Sequence, residues 1–190
     1  MNVQYINTAT QKVTPTSFDS LDNTVGIYPL ADDVKIPQIM TRGSACADLC
    51  CNFTGIKELE FINTLNGKAY KRGIIENTHI FFPPFTKVKL PTNLIFDIPE
   101  NFKIVIYPRS SIKFNMNLSL INSPAIIDSD YVDQVYLLLE NLNDFNVKLE
   151  SNMRLAQIEL QPVLKVVYTK LDSPPKQKTE RTGGIGSTKI

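Results

Sequence analysis

Alternation of core-type and polar side chains at every second position is the feature that most limits how this chain can fold. The stretches 86–90, 102–106 and 135–139 all follow it. A half-buried β-strand has this period because successive side chains point to opposite faces of the sheet. Prolines fall between such runs, as expected of turns in a many-stranded antiparallel fold; they stand at 83, 84, 91, 99, 108, 124 and 162. The pattern predicts an all-β fold, a β-sandwich or jelly roll.

Length, charge and composition favour one ordinary domain. The chain has 190 residues, of which 43% are hydrophobic and 21% charged, close to the average of soluble globular proteins. A net charge of +1 gives no overall field that would hold nucleic acid or an anionic membrane. No apolar run is long enough to span a bilayer, and residues 1–10 lack the pattern of a secretory signal. We therefore expect a soluble, cytoplasmic protein with neither nucleic acid nor membrane as partner.

The cysteines and the histidine exclude several kinds of site. Cys46, Cys50 and Cys51 form an odd, local set, which does not make a disulfide framework and fits a reducing compartment. A zinc site is the alternative, but His79 is the only histidine and there is no second cysteine pair to complete four ligands in the usual spacing. Every nucleophilic scheme that needs histidine would have to use this residue as well. Its place before the apolar stretch 80–82 is that of an ordinary strand-end histidine.

Two regions depart from the strand pattern. Ile56, Leu59, Ile62 and Leu65 recur every third residue, which fits either a short helix or an excursion carried on the sheet. Residues 172–182 contain no large apolar side chain, and we expect a flexible connector there.

The glycines and the chain ends suggest a domain organisation. Residues 183–190 hold three of the eight glycines, which fits either a mobile arm that closes over a ligand or a frayed end. We expect a β domain over 1–171, with an N-terminal extension over about 1–30 and an insertion over about 55–77. A Gly-rich C-terminal arm would occupy 172–190.

The sequence Pro108-Arg109-Ser110-Ser111 follows an alternating strand and is suited to binding an anion. A guanidinium binds phosphate oxygens through two parallel N–H groups, and two hydroxyls and the backbone N–H groups of a turn add further donors. A plain surface turn would explain the same four residues.

Asp128, Asp130 and Tyr131 lie at a turn between two apolar strands. Acidic residues in this position often only cap the turn through bonds to nearby N–H groups. The functional interpretation is that one carboxylate orients and deprotonates a water molecule. Asp128 directly follows Ile126 and Ile127, and is better placed for this than Asp130.

Together with three further stretches, these segments resemble the five motifs of the trimeric deoxyuridine triphosphate nucleotidohydrolases, the dUTPases. The motifs stand in the family's order and span most of the chain. They read GSACADL at 43–49, PRSS at 108–111, INSPAIIDSDY at 121–131, RLAQ at 154–157 and GGIGST at 183–188. Five ordered motifs are a specific signal, whereas one alone is not.

The resemblance implies a jelly-roll homotrimer whose active sites are each built from more than one subunit. It implies hydrolysis of dUTP to dUMP and pyrophosphate, which limits uracil incorporation into DNA and supplies dUMP. Mg²⁺ is the implied cofactor, held by the triphosphate and by water with no direct protein ligand.

Roles at the nucleoside follow from the matching positions. Asp128 matches the acid that activates the attacking water. Tyr131 matches the aromatic residue that packs on deoxyribose and leaves no room for a ribose 2′-hydroxyl. Asn122 matches the side chain that reads uracil, helped by backbone groups; these belong to Ile126, Ile127 and Tyr136.

Roles at the phosphates are carried over in the same way. The implied phosphate contacts are Arg109, Ser110, Ser111 and Gln157. Asp48 and Arg154 match residues that support the site. The implied contacts from the C-terminal arm are Arg181, Ile185, Gly186 and Ser187.

Several positions depart from the family pattern. Cys46 stands where the first motif usually has glycine, and residues 151–153 replace a Pro-Gly-Glu turn. Ile185 replaces a phenylalanine that stacks on uracil, and Arg181 is one residue closer to the glycines than in many members. These changes predict weaker closure of the arm.

Two other functions remain as alternatives. A dCTP deaminase shares the Arg-Ser-Ser element, but Leu138 stands where its catalytic glutamate would fall, and Glu140 is about 7 Å further along a strand. A nucleotide-binding regulatory module with little turnover is the second alternative, and the nonstandard arm favours it.

Overall fold

The computed structural model describes residues 23–74 and 78–180, and within them it consists of β-strands and one short helix. The strands are β1 (Gly26–Pro29), β2 (Ala47–Cys50), β3 (Glu58–Asn63), β4 (Ala69–Gly73), β5 (His79–Phe82), β6 (Thr86–Pro91), β7 (Leu94–Asp97), β8 (Phe102–Pro108), β9 (Leu118–Leu120), β10 (Ala125–Ile127), β11 (Tyr136–Asn141), β12 (Val147–Glu150) and β13 (Arg154–Pro162). The helix is α1 (Ser110–Met116). The predicted all-β class is confirmed.

The strands form two main antiparallel sheets and two ribbons. One sheet has the order β10-β8-β13-β2, and the other has the order β4-β3-β6-β11-β9. The ribbons pair β1 with β7 and β12 with β5. Strands that lie next to each other in a sheet are mostly distant in the sequence, which is the topology of a jelly-roll sandwich. The described part of the chain has no helix with the length and hydrophobicity needed to cross a membrane.

Period-two side chains build the core between the sheets. On β6, Val88 and Leu90 are buried while Lys87 and Lys89 are exposed. The largest fully buried side chains include phenylalanines from several elements: Phe53, Phe61, Phe82 and Phe96. Burying each such ring stabilises the fold by about 1.5–3 kcal/mol.

Residues 56–65 contain strand β3, the first strand of a β-hairpin with β4, so the helical interpretation was wrong and the excursion carried on the sheet is confirmed. β3 pairs with β4 on one side and with β6 on the other. The actual period is two, because Leu59 and Phe61 are buried while Glu58 and Glu60 are exposed. Ile62 faces the other side of the sheet from Phe61, so the three-residue spacing did not mark one face.

Helix α1 was not predicted from the sequence. Arg109 precedes it in an extended conformation, and Asn117 ends it in the left-handed region at φ 48°. Asparagine tolerates this region better than most residues, which suits it to a helix end. Only Ile112 of the seven helical residues is buried, so the helix has too little apolar periodicity to be visible in the sequence.

Residues beyond the described ranges carry several of the predictions. Most of the expected N-terminal extension, part of the insertion at 75–77 and the Gly-rich end at 181–190 lie outside the described residues. The proposed arm contacts Arg181, Ile185, Gly186 and Ser187 lie there too. Residues 163–180 contain neither strand nor helix.

Asn141 is a buried polar side chain on β11 that connects this strand to two turns. Its Nδ2 atom lies 3.0 Å from the carbonyl oxygen of Phe82, 2.9 Å from that of Pro83 and 3.0 Å from that of Phe145. Its Oδ1 accepts a bond of 3.0 Å from the backbone N–H of Asn143. One amide therefore provides hydrogen-bond partners for backbone groups of the turn after β5 and of the turn after β11.

Replacing Asn141 with alanine should destabilise the protein. Asn141→Ala removes the amide donor from the carbonyl oxygens of Phe82 and Phe145, whereas that of Pro83 keeps the Thr86 hydroxyl. We expect a loss of about 2–3 kcal/mol of the free energy of unfolding. Urea denaturation at a fixed protein concentration measures the change. Asn146→Ala, at an exposed position, is the control and should shift stability by no more than about 0.5 kcal/mol. Equal midpoints for the two variants would contradict the structural role of Asn141.

Candidate active site

The predicted site residues that the structure describes gather mainly in two pockets with no lining residue in common. The arginine pocket, of about 640 Å³, is lined by Met40, Ser44, Ala45, Cys46, Asp48, Pro108, Arg109, Ser110, Ser111 and Gln157. The hairpin pocket, of about 400 Å³, is lined by Lys89, Asn122, Ile126, Ile127, Asp128, Tyr131, Val135, Tyr136 and Leu138.

Three neighbouring strands bring the parts of the arginine pocket together. Asp48 on β2 lies opposite Gln157 on β13, and Gln157 lies opposite Tyr107 on β8. The chain then passes through Pro108 to Arg109. Side chains that are 109 residues apart in the sequence thus become neighbours through sheet register alone.

Asp48 pairs with two arginines. Its Oδ1 lies 2.8 Å from Nε of Arg109, and its Oδ2 lies 3.0 Å from Nη1 of Arg154. Nη1 of Arg109 also donates to the backbone oxygen of Arg154 at 3.3 Å. One carboxylate between two guanidinium groups leaves a net positive charge, and its contact with Nε fixes the plane of the Arg109 fork. Arg154 does not line the arginine pocket; it lines an adjoining one together with Asp48.

Neutral polar groups complete the arginine pocket. Ser110 and Ser111 lie at the start of α1, and each brings a hydroxyl that can donate or accept. Gln157 donates from Nε2 to the backbone oxygen of Pro108 at 3.2 Å, which holds its carboxamide against the end of β8. This combination of guanidinium, hydroxyl and amide groups is suited to binding phosphate oxygens.

The three cysteines are free thiols that burial keeps protonated. Burial raises the pKa of Cys46 and of Cys50, and it raises the pKa of Cys51 to about 12. The Cys51 thiol donates to the backbone oxygen of Glu150 at 3.3 Å. A protonated thiol is a poor nucleophile and metal ligand at neutral pH. Across residues 23–74 and 78–180, no group of three or more His, Cys, Asp or Glu side chains is arranged to hold a metal ion.

The hairpin pocket is formed by β10, the turn after it and β11. Ile126 and Ile127 are fixed on β10 opposite Val105 and Ile104 of β8. Asp128 follows directly and its side chain is exposed. Its backbone oxygen accepts a bond of 3.1 Å from the N–H of Tyr131, which closes the turn. The carboxylate is therefore accessible to a ligand and to water.

Tyr131 is held at the hairpin tip by its own hydroxyl. The hydroxyl donates to the backbone oxygen of Gln134 at 2.9 Å. Partial burial raises the pKa of Tyr131, with smaller effects from Asp133 and Tyr136. The hydroxyl accordingly remains a donor throughout the neutral range. The ring is 38% exposed and lines the pocket.

Lys89 is a pocket residue that the sequence analysis missed. Its ammonium lies 3.8 Å from the centroid of the Tyr136 ring, a cation–π contact. The sequence showed it only as an outward-facing residue of an alternating strand. Lys89 lies opposite Leu138, but sequence alone does not give that register. Met40 and Ser44 of the arginine pocket were missed because they lie in the irregular segment before β2, whose path the sequence does not give.

The two pockets lie towards opposite ends of β8. Ile127 is opposite Ile104, and Asp128 is the next residue. Arg109 is five residues further along the chain from Ile104. Because β10 is antiparallel to β8, Asp128 lies one position beyond Ile104 in the direction away from Arg109. Six residues at about 3.3 Å each therefore separate the backbones of Asp128 and Arg109 by roughly 20 Å along β8.

Replacing Arg109 with lysine should weaken anion binding by the arginine pocket. Arg109→Lys keeps the charge but cannot bind Asp48 and an anion at once through a planar fork. The loss of one charge-assisted hydrogen bond predicts about tenfold weaker binding of pyrophosphate, measured by titration calorimetry. Arg72→Lys on β4 is the matched control and should bind as the wild type does. Unchanged affinity for Arg109→Lys would show that this guanidinium does not contact the anion.

Comparisons with known proteins identify one family. A family model described as dUTPase matches residues 74–189. The deoxyuridine 5'-triphosphate nucleotidohydrolase of Brucella melitensis biotype 2 is 32% identical over 177 residues, which cover 91% of this chain and 98% of that protein. The protein of the same name from Rhizobium leguminosarum bv. trifolii is 33% identical over 124 residues, which cover 65% of this chain and 79% of that protein.

Two solved structures share the fold. The dUTPase of Staphylococcus bacteriophage 80alpha with dUPNHPP has a TM-score of 0.68 at 14% identity, over 88% of this chain and 99% of that one. A mutant dUTPase from phage phi11 of S. aureus, which coordinates a structural Mg(II) ion, has a TM-score of 0.61 at 13% identity, over 80% of this chain and 98% of that one. Since the family model spans more than half of the chain and the Brucella protein aligns along nearly all of it, the chain belongs to the dUTPase family.

Proposed function

We propose that this protein hydrolyses dUTP to dUMP and pyrophosphate, which limits uracil incorporation into DNA and supplies dUMP. The observation that carries the proposal is the separation of the matching residues into two pockets of different chemistry. The hairpin pocket combines strand backbone, an aromatic ring and a carboxylate, and the arginine pocket combines cationic and hydroxyl donors. A nucleoside triphosphate needs both kinds of surface.

The hairpin pocket would select the base and the sugar. Backbone groups of Ile126, Ile127 and Tyr136 are fixed by strand pairing, and Asn122 adds an amide beside them. A rigid pattern of donors and acceptors suits the uracil edge and leaves the amino group of cytosine facing a donor. The Tyr131 ring would pack on the deoxyribose and exclude a 2′-hydroxyl.

Asp128 would act as the general base. Its carboxylate accepts a proton from a water molecule as the water oxygen attacks the α-phosphorus. The bond from that phosphorus to the bridging oxygen breaks, and pyrophosphate leaves with the electron pair. The exposed position of Asp128 at the pocket leaves room for this water.

The arginine pocket would hold the phosphate chain in place. Arg109, Ser110, Ser111 and Gln157 offer donors on one surface, and Asp48 and Arg154 keep the Arg109 guanidinium oriented. In phosphoryl transfer the protein contributes mainly position and charge neutralisation. Dispersing negative charge on pyrophosphate as it leaves is the main contribution of this pocket.

Mg²⁺ is the cofactor that this chemistry requires. When bound, it neutralises phosphate charge and fixes the geometry of the triphosphate. Mg²⁺ commonly keeps several waters and binds substrate phosphates, so it does not need a cage of protein ligands. The carboxylate of Asp48 is already paired with two arginines, which favours coordination by the triphosphate and water over coordination by this residue.

The active site would be shared between subunits of a homotrimer. Asp128 must reach the α-phosphate while Arg109 binds the phosphate chain, yet β8 separates their backbones by roughly 20 Å. If the hairpin pocket of one subunit faces the arginine pocket of a neighbouring subunit, Asp128 and Arg109 from different chains can bind the same nucleotide. The β domain would end at about residue 171, and the C-terminal arm would follow it over 172–190. The arm would complete the site through Arg181, Ile185, Gly186 and Ser187.

The cellular setting follows from the same chemistry. Free thiols at Cys46, Cys50 and Cys51 support a reducing cytoplasm. The net charge of +1 supports a small nucleotide as partner over nucleic acid or a membrane surface.

Removing the base should abolish turnover and leave binding intact. Asp128→Asn keeps the shape of the side chain but cannot take a proton, so the rate of pyrophosphate release from dUTP with Mg²⁺ should fall by about 10²–10⁴-fold. Wild-type protein should release pyrophosphate from dUTP far faster than from dCTP or dTTP. The affinity of Asp128→Asn for dUTP should stay within about threefold of the wild-type value.

Asp130→Asn is the matched control for this experiment. Asp130 is exposed two residues away and does not line the pocket, so its substitution should leave turnover near the wild-type rate. A wild-type protein that binds dUTP without turnover would refute the proposed hydrolysis. Full activity of Asp128→Asn would assign the base to another group.

Tyr131 should set the choice between deoxyribose and ribose. Tyr131→Ala opens space beside the sugar, so the ratio of kcat/KM for UTP to that for dUTP should rise about tenfold. Steady-state kinetics with both nucleotides measure it. Tyr28→Ala, at an exposed position on β1, is the control and should keep the wild-type ratio. The role of Tyr131 would be refuted if discrimination against UTP stayed the same.

A further inference from the structure

A chain of amide side chains lies behind the hairpin pocket. Gln134 donates from Nε2 to Oδ1 of Asn93 at 2.8 Å. Asn93 donates from Nδ2 to Oδ1 of Asn52 at 2.7 Å and to the backbone oxygen of Thr54 at 2.9 Å. Asn52 donates from Nδ2 to Oδ1 of Asn152 at 3.2 Å. Four side chains from four separate parts of the sequence are therefore linked in a row, and each amide N–H₂ group donates to the amide oxygen of the next.

The middle of this amide chain is rigid. Asn52 is 0% exposed and Asn93 is 4% exposed. Their polar atoms have partners, so neither side chain can rotate without leaving a buried group unsatisfied. Asn93 also has a positive φ of 55°, a conformation that asparagine and glycine tolerate best. The backbone and the side chain at this position are therefore both constrained.

Gln134 connects this rigid amide chain to Tyr131 at the hairpin tip. Its side chain is anchored on Asn93, and its backbone oxygen accepts the hydroxyl of Tyr131 at 2.9 Å. The next residue, Val135, is also fixed, because its N–H donates to the backbone oxygen of Leu94 at 2.9 Å. The Val135 N–H and the Gln134 carbonyl belong to one peptide unit, so this unit is held on Leu94 by its N–H. The side-chain amide of Gln134 adds a second anchor, on Asn93, beside the carbonyl that holds the tyrosine.

We propose that Gln134 and Asn93 are positioning residues for Tyr131, and that their side-chain hydrogen bond determines how strictly the pocket rejects a ribonucleotide. The proposal rests on the proposed function, in which Tyr131 packs on the sugar. The Tyr131 side chain is held by its hydroxyl and its backbone is held by its N–H. A ring fixed in this way excludes a 2′-hydroxyl sterically, whereas a ring on a loose turn moves aside to admit it. Neither positioning residue needs to touch the nucleotide, and neither lines the pocket.

The first test is Gln134→Met, which keeps the length of the side chain and removes its amide. KM for dUTP should rise about fivefold while kcat changes by less than twofold, because Asp128 and the arginine pocket are intact. The ratio of kcat/KM for UTP to that for dUTP should rise about fivefold. Gln161→Met is the matched control. Gln161 is also half-buried and donates to the Tyr107 hydroxyl at 3.1 Å, but it lies outside both pockets, so its variant should keep the wild-type ratio.

The second test is a double-mutant cycle with Asn93→Gly. Glycine accepts the positive φ of this position and lacks the amide, so the variant breaks the same hydrogen bond from the other side. If the two residues act as one unit, the double variant should relax discrimination by no more than either single variant does. If the change in UTP/dUTP discrimination in the double variant equals the product of the changes in the two single variants, the proposal is overturned.

The outcomes separate this inference from the proposed function. If wild-type protein hydrolyses dUTP and Gln134→Met keeps the wild-type discrimination, the inference is wrong and the function stands. If wild-type protein does not hydrolyse dUTP, the function fails and hydrogen exchange decides the inference. The N–H of Tyr131 should then exchange about tenfold faster in Gln134→Met than in Gln161→Met, and equal rates would overturn it.

Discussion

Pairing of β13 with β2 on one side and β8 on the other is the constraint on which the arginine pocket depends. The ladder sets Asp48, Gln157 and Tyr107 side by side, and Arg109 follows from the end of β8. A shift of one residue in either ladder would turn these side chains to the opposite face of the sheet. The buried residues Leu49, Ala156 and Ile106 lock the register, because they must face the core. Core packing therefore positions polar groups that make no contact with the core.

The same strand keeps the two pockets of one chain apart. β8 carries Ile104 opposite β10 near one end and leads into Arg109 at the other. A strand cannot bend its two ends together, so in the proposed homotrimer the two pockets would meet a common ligand across a subunit interface. In a symmetric assembly each such contact is repeated, and every subunit would serve two neighbouring sites with different chemistry. A rigid sheet is then an advantage, because it fixes both halves relative to the assembly.

The all-β class could be predicted because it depends on local signals, which are period-two alternation and prolines at turns. The short ordered motifs contain many of the residues that line the two pockets, although no structure tests their roles. Lys89 could not be predicted, since its place beside Tyr136 depends on the register between β6 and β11. The hairpin over Glu58–Asn63 and Ala69–Gly73 was open between two interpretations, because a short apolar run fits either period until a partner strand is known. The amides of Asn52, Asn93 and Gln134 gave no signal, because each alone resembles a common turn or surface residue.

The β3–β4 hairpin has a protective effect on the five-stranded sheet. Without it, β6 would have β11 on one side and open N–H and C=O groups on the other, beside the fully buried Leu90. Such an edge invites pairing with another chain. The hairpin covers that edge and moves the boundary of the sheet out to β4, whose five residues are mostly exposed and include Lys71 and Arg72. Charged, short edge strands resist further pairing. The hairpin thus replaces an open edge beside a buried leucine with a short charged edge, which disfavours strand pairing between molecules.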